Sequence, residues 1–354
     1  MTDLEKLCSR VTEAADCAVI TDDVNRRYFT AMKSSAGTLV VFPEKAYFII
    51  DFRYIEKAKK TVTACEVILQ DKLYEQINSL IEKHGAKTVS VNADTCTLSE
   101  LIAYQQKLNA EVIADTKLAE IIREIRTVKS QDQIDKIIKA QRIAEKGFAH
   151  MLDFIKVGRT EKEIQLELDY YMLKNGAEAL SFDTIALSGS NTSLPHGVPS
   201  DKKVESGEFV LMDFGATYDG WHSDMTRTVC VGKPSDKMKS VYETVLTAQL
   251  TALDAVKAGM SGKALDKIAR DIITEAGYGD NFGHSLGHGV GVEIHESPYA
   301  SPSREDILPK NSIVTVEPGI YLEGKFGVRI EDFVVVTENG CINMTKAPKE
   351  LICL

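Results

Sequence analysis

The sequence lacks three features, and each absence excludes a class of protein. No segment approaches the roughly 20 consecutive apolar residues that a membrane-spanning helix needs. Residues 1–10 have no apolar core of the kind found in a signal peptide, so we expect none. Positive charge is scarce, because 42 Lys and Arg stand against 52 Asp and Glu and the formal net charge is −10. Nucleic acid or an anionic membrane would need a basic face, so we expect neither as a partner.

Paired cysteines are also missing. The 7 cysteines are odd in number and form no C-x-x-C pair; they are scattered as Cys8, Cys17, Cys65, Cys96, Cys230, Cys341 and Cys353. We therefore expect no disulfide framework. Scattered thiols are typical of a reducing compartment, so we predict a cytoplasmic protein.

The 354 residues are enough for two domains with buried cores, and the first is predicted to be a small α/β domain. Strand-like apolar runs at 17–21, 37–42 and 46–50 alternate with helical patterns at 54–61 and 73–84. This part contains no P-loop, no G-x-G-x-x-G and no metal-ligand pattern. We place this domain at residues 1–125.

Residues 126–354 contain an internal duplication. A pair of helices is predicted to open at Ser130 and Thr160, and a second pair opens about a hundred residues later at Ser235 and Ser261. Each helix stops near a glycine. The same order of elements in both copies predicts two related halves.

The duplication continues into the strands. The stretch EFVLMDFG, which holds Asp213, matches the stretch SIVTVEPG, which holds Glu317, and the two acids occupy the same position. We predict two helix–helix–strand–hairpin units, at about 130–232 and 235–340. Two such halves would form one pseudo-twofold domain, and a site at its axis would draw ligands from both.

A hairpin is predicted between Asp213 and Asp224. The segment DFGATYDGWHSDMTRT contains Asp219-Gly220, a strong signal for a two-residue turn. With that turn, Asp213 faces Thr226, and Asp224 lies two positions from this partner. The even spacing keeps both aspartates on one face, where diagonal neighbours are roughly 7–8 Å apart at the backbone. Both carboxylates could then reach a pair of metal ions about 3.5–4 Å apart.

Glu317 and Glu331 form the pair expected in the second half. They flank a loop near 323–326, and Glu331 shares a strand face with Arg329. Acids on strands are often on solvated edges, but the apolar flanks VLMD and VTVE are typical of buried strands. Four converging carboxylates need cations or shared protons, so the sequence predicts a metal site.

Histidines cluster in the same part of the chain, with five of the 7 between residues 196 and 295. His288 stands in the glycine-rich segment FGHSLGHGVGVEIHESP, where the backbone can approach closely, and is predicted to join the carboxylates. One imidazole with four carboxylates favours Mn²⁺, Co²⁺ or Zn²⁺ over a thiolate-bound metal. His222 shares the face of Asp224, and we leave open whether it lines the rim or is structural.

The motifs MDFGA, HSDMTRT, GHGVG, VEPG and RIED resemble those of the pita-bread metallopeptidases, and within them the Xaa-Pro peptidases, aminopeptidase P and prolidase. Residues 126–354 resemble the catalytic pita-bread domain and residues 1–125 the creatinase-type N-terminal domain. The resemblance implies an α+β fold in which a pseudo-twofold pita-bread catalytic domain follows a smaller α/β domain. It also implies a homodimer that acts on peptides with proline in second position.

The resemblance implies roles for individual residues of these motifs. Two divalent metal ions, with Mn²⁺ the first choice, would be held by Asp213, Asp224, His288, Glu317 and Glu331. Asp213 would hold one ion, Asp224 and Glu331 would bridge the two, and His288 with Glu317 would hold the other.

Four further functions follow from the same resemblance. Glu317 would carry a proton from water to the leaving nitrogen. His295 or His196 would donate a hydrogen bond to the developing oxyanion, and His284 would also line the substrate site. Arg329 would orient the bridging carboxylates.

Several activities occur among proteins that share these motifs. Methionine aminopeptidases share the five ligands but usually lack the N-terminal domain, and creatinases lack the ligands. A prolidase often has an arginine just after the His-Glu-x-Pro motif, where this chain has Tyr299, with Arg304 nearby as a possible substitute. We therefore predict an Xaa-Pro aminopeptidase. An Xaa-Pro dipeptidase is the alternative, and a non-catalytic binding protein is a remote one.

Overall fold

A computed structural model describes all 354 residues, which form two units, Met1–Arg126 and Thr127–Leu354. The first unit contains the strands β1 (Cys17–Ile20), β2 (Thr38–Val41), β3 (Ala46–Ile50), β4 (Glu66–Leu69), β5 (Thr88–Val91) and β6 (Glu111–Ile113). Its helices are α1 (Asp3–Arg10), α2 (Asp23–Thr30), α3 (Ile55–Thr61), α4 (Leu73–His84), α5 (Leu98–Lys107) and α6 (Lys117–Thr127), the last of which ends at the boundary. The strands form one mixed sheet in the order β4-β3-β2-β1-β5-β6.

Alternate residues of this sheet enter two separate cores. Ala18 and Ile20 of β1 pack with residues of α1 and α6, whereas Cys17 and Val19 pack with residues of α4 and α5. A strand that is buried on both faces needs apolar residues at nearly every position. This explains the continuous apolar runs of the first unit and the absence of a polar/apolar alternation.

The second unit contains four longer helices and a set of short sheets. The helices are α7 (Gln131–Phe154), α8 (Glu161–Lys174), α9 (Asp236–Ala255) and α10 (Gly262–Glu275). The strands of its first half are β7 (Ala179–Leu180), β8 (Ile185–Ser188), β9 (Glu208–Phe214), β10 (Ala216–Tyr218), β11 (Trp221–His222) and β12 (Met225–Val231). Those of its second half are β13 (Gly287–Gly289), β14 (Glu296–Ala300), β15 (Ile313–Val316), β16 (Gly319–Leu322), β17 (Phe326–Arg329), β18 (Asp332–Val336) and β19 (Cys341–Asn343).

The predicted helix starts are confirmed in both halves. Each of the four predicted residues is an N-cap whose hydroxyl accepts a hydrogen bond from the backbone three residues later: Ser130, Thr160, Ser235 and Ser261. The ends of the helices repeat as well. Gly158 and Gly259 each follow the end of their helix by four residues and have φ of +90° and +81°. The two helix pairs are thus built on one plan.

Each half also has its own apolar core. One core joins α7 and α8 to β9 and β12, through residues such as Phe148, Leu168 and Met212. The other joins α9 and α10 to β15 and β18, through residues such as Val245 and Val314. The hairpins β9–β12 and β15–β18 each pack on the helix pair of their own half, and Phe209 and Cys230 of the first hairpin also enter the core of the second half. None of the helices of either unit has the length and apolarity needed to cross a bilayer.

Candidate metal centre

The first hairpin presents Asp213 and Asp224 on one face. Asp213 pairs with Thr226, as predicted, and the next pair along the same register is Gly215 and Asp224. A Cβ atom at Gly215 would lie 1.9 Å from the Ser223 carbonyl oxygen, so only glycine allows the strands this close approach. The even spacing therefore holds both aspartates over the same side of the ribbon.

The second hairpin has a different register. The strand pairs β15–β18 and β16–β17 share one alignment, and Glu317 and Glu331, which lie between them, take opposite positions when that alignment is continued. Asp213 and Asp224 are instead diagonal neighbours. The second half thus repeats the first in the order of its elements but not in the position of its second acid. The two halves nevertheless meet, because one carboxylate oxygen each of Asp213, Asp224 and Glu331 lie within 4.8 Å of one another.

His288 joins this group from β13. Its Nε2 lies 3.4 Å from Glu317 Oε1 and 3.7 Å from Asp224 Oδ2. Its Nδ1 is 3.1 Å from the Gly289 carbonyl oxygen, which can only accept, so Nδ1 carries the proton and Nε2 presents a lone pair. Burial, followed by the charge of His295, lowers the pKa of His288 to about 4, which keeps the ring neutral. The unprotonated Nε2 of His288 therefore faces the carboxyl groups of Asp224 and Glu317.

The carboxylates themselves are in an environment that disfavours their charge. Asp224 is 4% exposed and Glu331 is 1% exposed. Burial first, and then the neighbouring acids, raise the pKa of both groups well above their ordinary values. The pKa of Glu317 rises to about 8, mainly through burial. Without a cation, these groups would hold protons rather than charge at neutral pH.

The donor set fits divalent cations. Asp213 Oδ1 and Glu331 Oε1 are buried and have no hydrogen-bond partner, although buried polar atoms are normally satisfied. Asp213 and Glu331 both belong to the cluster that also contains Asp224. Carboxylate oxygens with one neutral imidazole nitrogen are ligands for Mn²⁺, Co²⁺ or Zn²⁺. A cation would provide the missing partner and would offset the repulsion among the acids.

Arg329 is the cation that the protein itself supplies. Its Nη2 donates to Asp213 Oδ2 at 2.6 Å, and its Nε donates to the Thr226 hydroxyl at 3.0 Å. That hydroxyl in turn donates to Glu331 Oε2 at 2.8 Å. The resemblance implied that Arg329 orients the bridging carboxylates. In the structure it contacts Asp213 directly and Glu331 only through Thr226.

Two hydroxyl groups at the centre were missed by the sequence analysis. Thr315 accepts a hydrogen bond from the His288 backbone at 3.0 Å and donates to Glu317 Oε1 at 3.3 Å. The Thr226 hydroxyl links Arg329 to Glu331. Thr226 could have been found, because the predicted turn already placed it opposite Asp213. For Thr315, the only sequence feature that indicated a place in the site was its position two residues before Glu317.

His284 is held on both sides by the protein. Its Nδ1 donates to the Ser285 carbonyl oxygen at 2.8 Å, so its Nε2 accepts from the Tyr321 hydroxyl at 2.9 Å. Tyr321 in turn accepts from Arg329 Nη1 at 2.7 Å. Burial, followed by the charge of Arg329, lowers the pKa of His284 to about 4. The ring is therefore neutral, with both nitrogens engaged.

A cavity of about 400 Å³ opens over the five predicted ligands. His196, His284 and His295 all line it, as the resemblance implied. His295 is exposed, and its ring centroid lies 4.3 Å from that of His288. The rest of the wall is mainly apolar and aromatic, with Phe182, Ile185, Pro195, Ile294 and Tyr299.

His222 does not line this cavity. It pairs with Thr217 on the tip of the first hairpin, and its Nδ1 lies 3.4 Å from the Thr217 hydroxyl. Its backbone N–H donates to the Gly291 carbonyl oxygen at 2.9 Å. These contacts favour the structural interpretation over a place at the rim.

Comparison with known proteins covers the whole chain. Residues 135–338 match the model of metallopeptidase family M24, and residues 4–128 match the creatinase/prolidase N-terminal domain. The chain is 39% identical to the Xaa-Pro dipeptidase of Pyrococcus furiosus over 352 residues, 99% of each chain. Among solved structures, the Xaa-Pro dipeptidase from Bacillus anthracis is 42% identical with a TM-score of 0.96, covering 99% of each chain. The X-Pro aminopeptidase from Thermotoga maritima is 38% identical with a TM-score of 0.91, covering 96% and 98%.

Proposed function

The chain belongs to metallopeptidase family M24, and from this premise we propose that it is an Xaa-Pro dipeptidase that uses two divalent metal ions. The observation that carries the proposal is the cluster of buried acids beside a neutral imidazole. Asp213 and Glu331 each keep a buried oxygen without a partner in that cluster. The cluster forms one wall of a cavity large enough for a small peptide.

We assign the metal ions to Asp213, Asp224, His288, Glu317 and Glu331, with Mn²⁺ as the first candidate. Bound divalent ions supply Lewis acidity, which lowers the pKa of water and polarises a carbonyl group. Asp213 and His288 are fixed for this task by Arg329 and by the Gly289 carbonyl oxygen, respectively. Ligands that are held in this way need little rearrangement on binding.

The protein's own groups perform the proton transfer. Glu317 faces the cavity, and the Thr315 hydroxyl holds one of its oxygens. In our proposal it takes the proton of the attacking water and delivers it to the leaving nitrogen of proline. His295 and His196 line the same cavity and donate hydrogen bonds to the oxyanion as it forms. His284 acts differently, because both its nitrogens are engaged; it fixes Tyr321 and the cavity wall.

Proline explains the need for such a cavity. An Xaa-Pro bond has no N–H and carries a rigid ring, so an enzyme that reads extended backbone handles it poorly. The apolar wall of Phe182, Ile185, Ile294 and Tyr299 is suited to a ring of this kind. We assign the ring to this wall.

Arg304 is the reason to favour a dipeptide over a longer peptide. Tyr299 lines the cavity where a prolidase often has arginine, and this substitution alone favoured an aminopeptidase. The guanidinium carbon of Arg304, however, lies 4.0 Å from the centroid of the Tyr299 ring. A cation at the cavity edge can pair with the free carboxylate of a dipeptide. Similarity to the dipeptidases of Bacillus anthracis and Pyrococcus furiosus supports the same choice.

An Xaa-Pro aminopeptidase is the second candidate. It is favoured by the exposure of Arg304, which leaves room for a chain to continue, and by the similarity to the Thermotoga maritima enzyme. The two enzymes differ in the group that they require on the carboxyl side of proline. A dipeptidase requires a carboxylate there, and an aminopeptidase accepts a further residue.

The deciding experiment compares Ala-Pro, Ala-Pro-amide and Ala-Pro-Ala on metal-loaded enzyme. We expect kcat/KM for Ala-Pro to exceed that for the other two by about tenfold or more, because neither has a carboxylate on the proline itself, where Arg304 would bind it. Arg304→Gln should remove most of this preference by raising KM for Ala-Pro alone. Faster cleavage of Ala-Pro-Ala would favour the aminopeptidase, and hydrolysis of none of the three would refute an Xaa-Pro activity.

We also propose a cytoplasmic location and a homodimer. All 7 cysteines are free thiols, which fits a reducing cytoplasm. The family resemblance implies a homodimer. Fractionation of the source cells and light scattering of the purified protein test these two points.

A further inference from the structure

Arg227 lies on β12 beside Thr226 and is 1% exposed, yet it touches neither the cavity nor a predicted ligand's side chain. A guanidinium carries five N–H donors in a rigid fork. All five are used here, at 2.5–2.9 Å, by a carboxylate oxygen of Asp332 and the carbonyl oxygens of Thr226, Glu331, Ala347 and Pro348. A buried arginine with every donor satisfied is held in one position.

These five acceptors belong to three separate parts of the chain. Thr226 is in the first hairpin, where it pairs with Asp213. Glu331 and Asp332 are in the second hairpin, and Glu331 is itself a predicted ligand. Ala347 and Pro348 are in the last stretch of the chain, residues 344–354, which we call the C-terminal segment. Arg227 therefore joins both halves of the duplication to the C-terminal segment.

The two hairpins are connected at the backbone of the predicted ligand Glu331. The Glu331 backbone N–H donates to the Thr226 carbonyl oxygen at 3.1 Å, and Arg227 binds that same oxygen together with the Glu331 carbonyl oxygen. Both peptide groups of this junction are thus fixed by one side chain. A shift of about an ångström there would move the Glu331 carboxylate relative to Asp213 and Asp224, and sites of this kind tolerate such shifts poorly.

We propose that Arg227 is a positioning residue that sets the spacing of the two carboxylate hairpins and so determines the affinity for metal. The inference rests on the proposed function, because it concerns the same metal ions. The C-terminal segment contributes by supplying two of the five acceptors. Lysine has one compact ammonium group and cannot hold five acceptors in this arrangement.

A simpler role for Arg227 would be to neutralise Asp332, which is fully buried. The chain offers a control for that role, because Lys349 also binds Asp332, at 2.8 Å, and contacts neither hairpin's ligands. Arg227→Lys keeps the charge next to Asp332 but loses the bridge between the hairpins. Lys349→Met loses a charge next to Asp332 but keeps the bridge. The two variants separate charge from position.

The experiment is calorimetric titration of Mn²⁺ into metal-free protein, with thermal unfolding of the same samples. We expect Arg227→Lys to bind Mn²⁺ about tenfold more weakly than the wild type, or worse, as is usual when a residue that supports metal ligands is lost. Lys349→Met should unfold at a lower temperature but bind Mn²⁺ within about twofold of the wild type. Wild-type affinity in Arg227→Lys, or an equal loss in Lys349→Met, would overturn the inference.

A second variant keeps the test decisive if Arg227→Lys does not fold. Because Lys349 keeps Gln249 as a partner, Arg227→Met combined with Asp332→Asn removes the Arg227–Asp332 pair without leaving either of its two charges behind. It should fold and still bind Mn²⁺ weakly, and wild-type affinity in it would contradict the proposal. Failure of the proposed function would look different, because the wild type itself would then bind less than one equivalent.

Discussion

The two carboxylate hairpins share one sequence pattern but differ in the residue that lies opposite its glycine. Asp213 and Glu317 occupy equivalent positions, each two residues before a glycine. Across from Gly215 the first hairpin has Asp224, whereas across from Gly319 the second hairpin has Arg329. One copy thus places an anion where the other places a cation.

This difference explains how four acids can share one small volume. Arg329 extends from the second hairpin to Asp213 of the first, at 2.6 Å. The fourth acid, Glu331, lies two residues beyond Arg329 on the same face of the strand, opposite Glu317. Exact repetition of the first hairpin would have given four acids with no arginine, and exact repetition of the second would have given four acids with two arginines. The divergence supplies one protein cation and leaves the remaining negative charge for metal ions.

The largest effect on activity is expected from a substitution of Glu317 in the second hairpin. Glu317→Gln cannot take up a proton from water, so kcat should fall by about 10²–10⁴-fold at saturating metal. Asp213→Asn in the first hairpin should act mainly through metal affinity and regain activity when Mn²⁺ is raised. Steady-state kinetics with metal analysis checks both. Near wild-type kcat in metal-loaded Glu317→Gln would show that the proton-transfer role is wrong.

Removal of the one protein cation should destabilise the metal-free protein. Arg329→Met leaves Asp213 without its ion pair in a largely buried site, and breaking a buried pair costs roughly 3–5 kcal/mol of unfolding free energy. Added Mn²⁺ should restore most of this stability by binding the exposed charge. Urea unfolding with and without metal measures the difference. Equal stability of the variant and wild type in chelator would disprove the role assigned to Arg329.

The stability of the metal-free protein should depend on pH. The pKa of Glu317 is raised from 4.5 to about 8, so the unfolded state ionises first and stability falls as the pH rises towards 8. His284 and His288, with pKa values lowered from 6.5 to about 4, act in the opposite direction, but only below pH 6.5.

Between pH 6.5 and 8 the carboxyl groups therefore act alone. We expect the Tm of the metal-free protein to fall over this interval. The Tm of the Mn²⁺-loaded protein should stay level, because the cations keep the acids ionised in the folded state. A scanning-calorimetry series tests this, and Glu317→Gln should reduce the slope. A metal-free Tm that rises with pH would contradict the pKa assignments.

The smallest effects are expected from the two threonines. Thr226→Val removes the hydroxyl between Arg329 and Glu331, and Thr315→Val removes the hydroxyl between His288 and Glu317. Each should weaken Mn²⁺ binding by about tenfold, and the serine variants should restore it. Because the hydroxyls serve different ligands, the two changes should weaken different binding steps in calorimetry. The same step affected by both would argue against two distinct metal positions.

Much of the fold and part of the site could be predicted from the sequence. The fold class and the family resemblance, read from motifs around Asp213 and Glu317, are confirmed. The turn at Asp219-Gly220 gave the pairing of Asp213 with Thr226, because a two-residue loop fixes the register of a hairpin. The metal-binding roles of the five residues stay predictions.

The remaining contacts depend on packing between distant segments. Arg227 donates a hydrogen bond to the carbonyl oxygen of Pro348, 121 residues away. Arg329 donates to the Tyr321 hydroxyl across the second hairpin, whose register no turn motif in the sequence predicts. The prediction of an aminopeptidase depended on Tyr299. A loop places the Arg304 guanidinium beside that ring, and local sequence patterns do not predict such a contact. Local patterns specify hairpins and caps, but not which side chains meet when two halves close together.

The central claim is that both hairpins bind one pair of metal ions for peptide hydrolysis. Titration of Mn²⁺ into metal-free protein, with Ala-Pro hydrolysis followed in the same samples, tests it most directly. We expect activity to rise with metal and to level off at two equivalents per chain, and neither binding nor activity in an Asp224→Asn, Glu331→Gln double variant. Full activity with less than one equivalent bound would contradict the account.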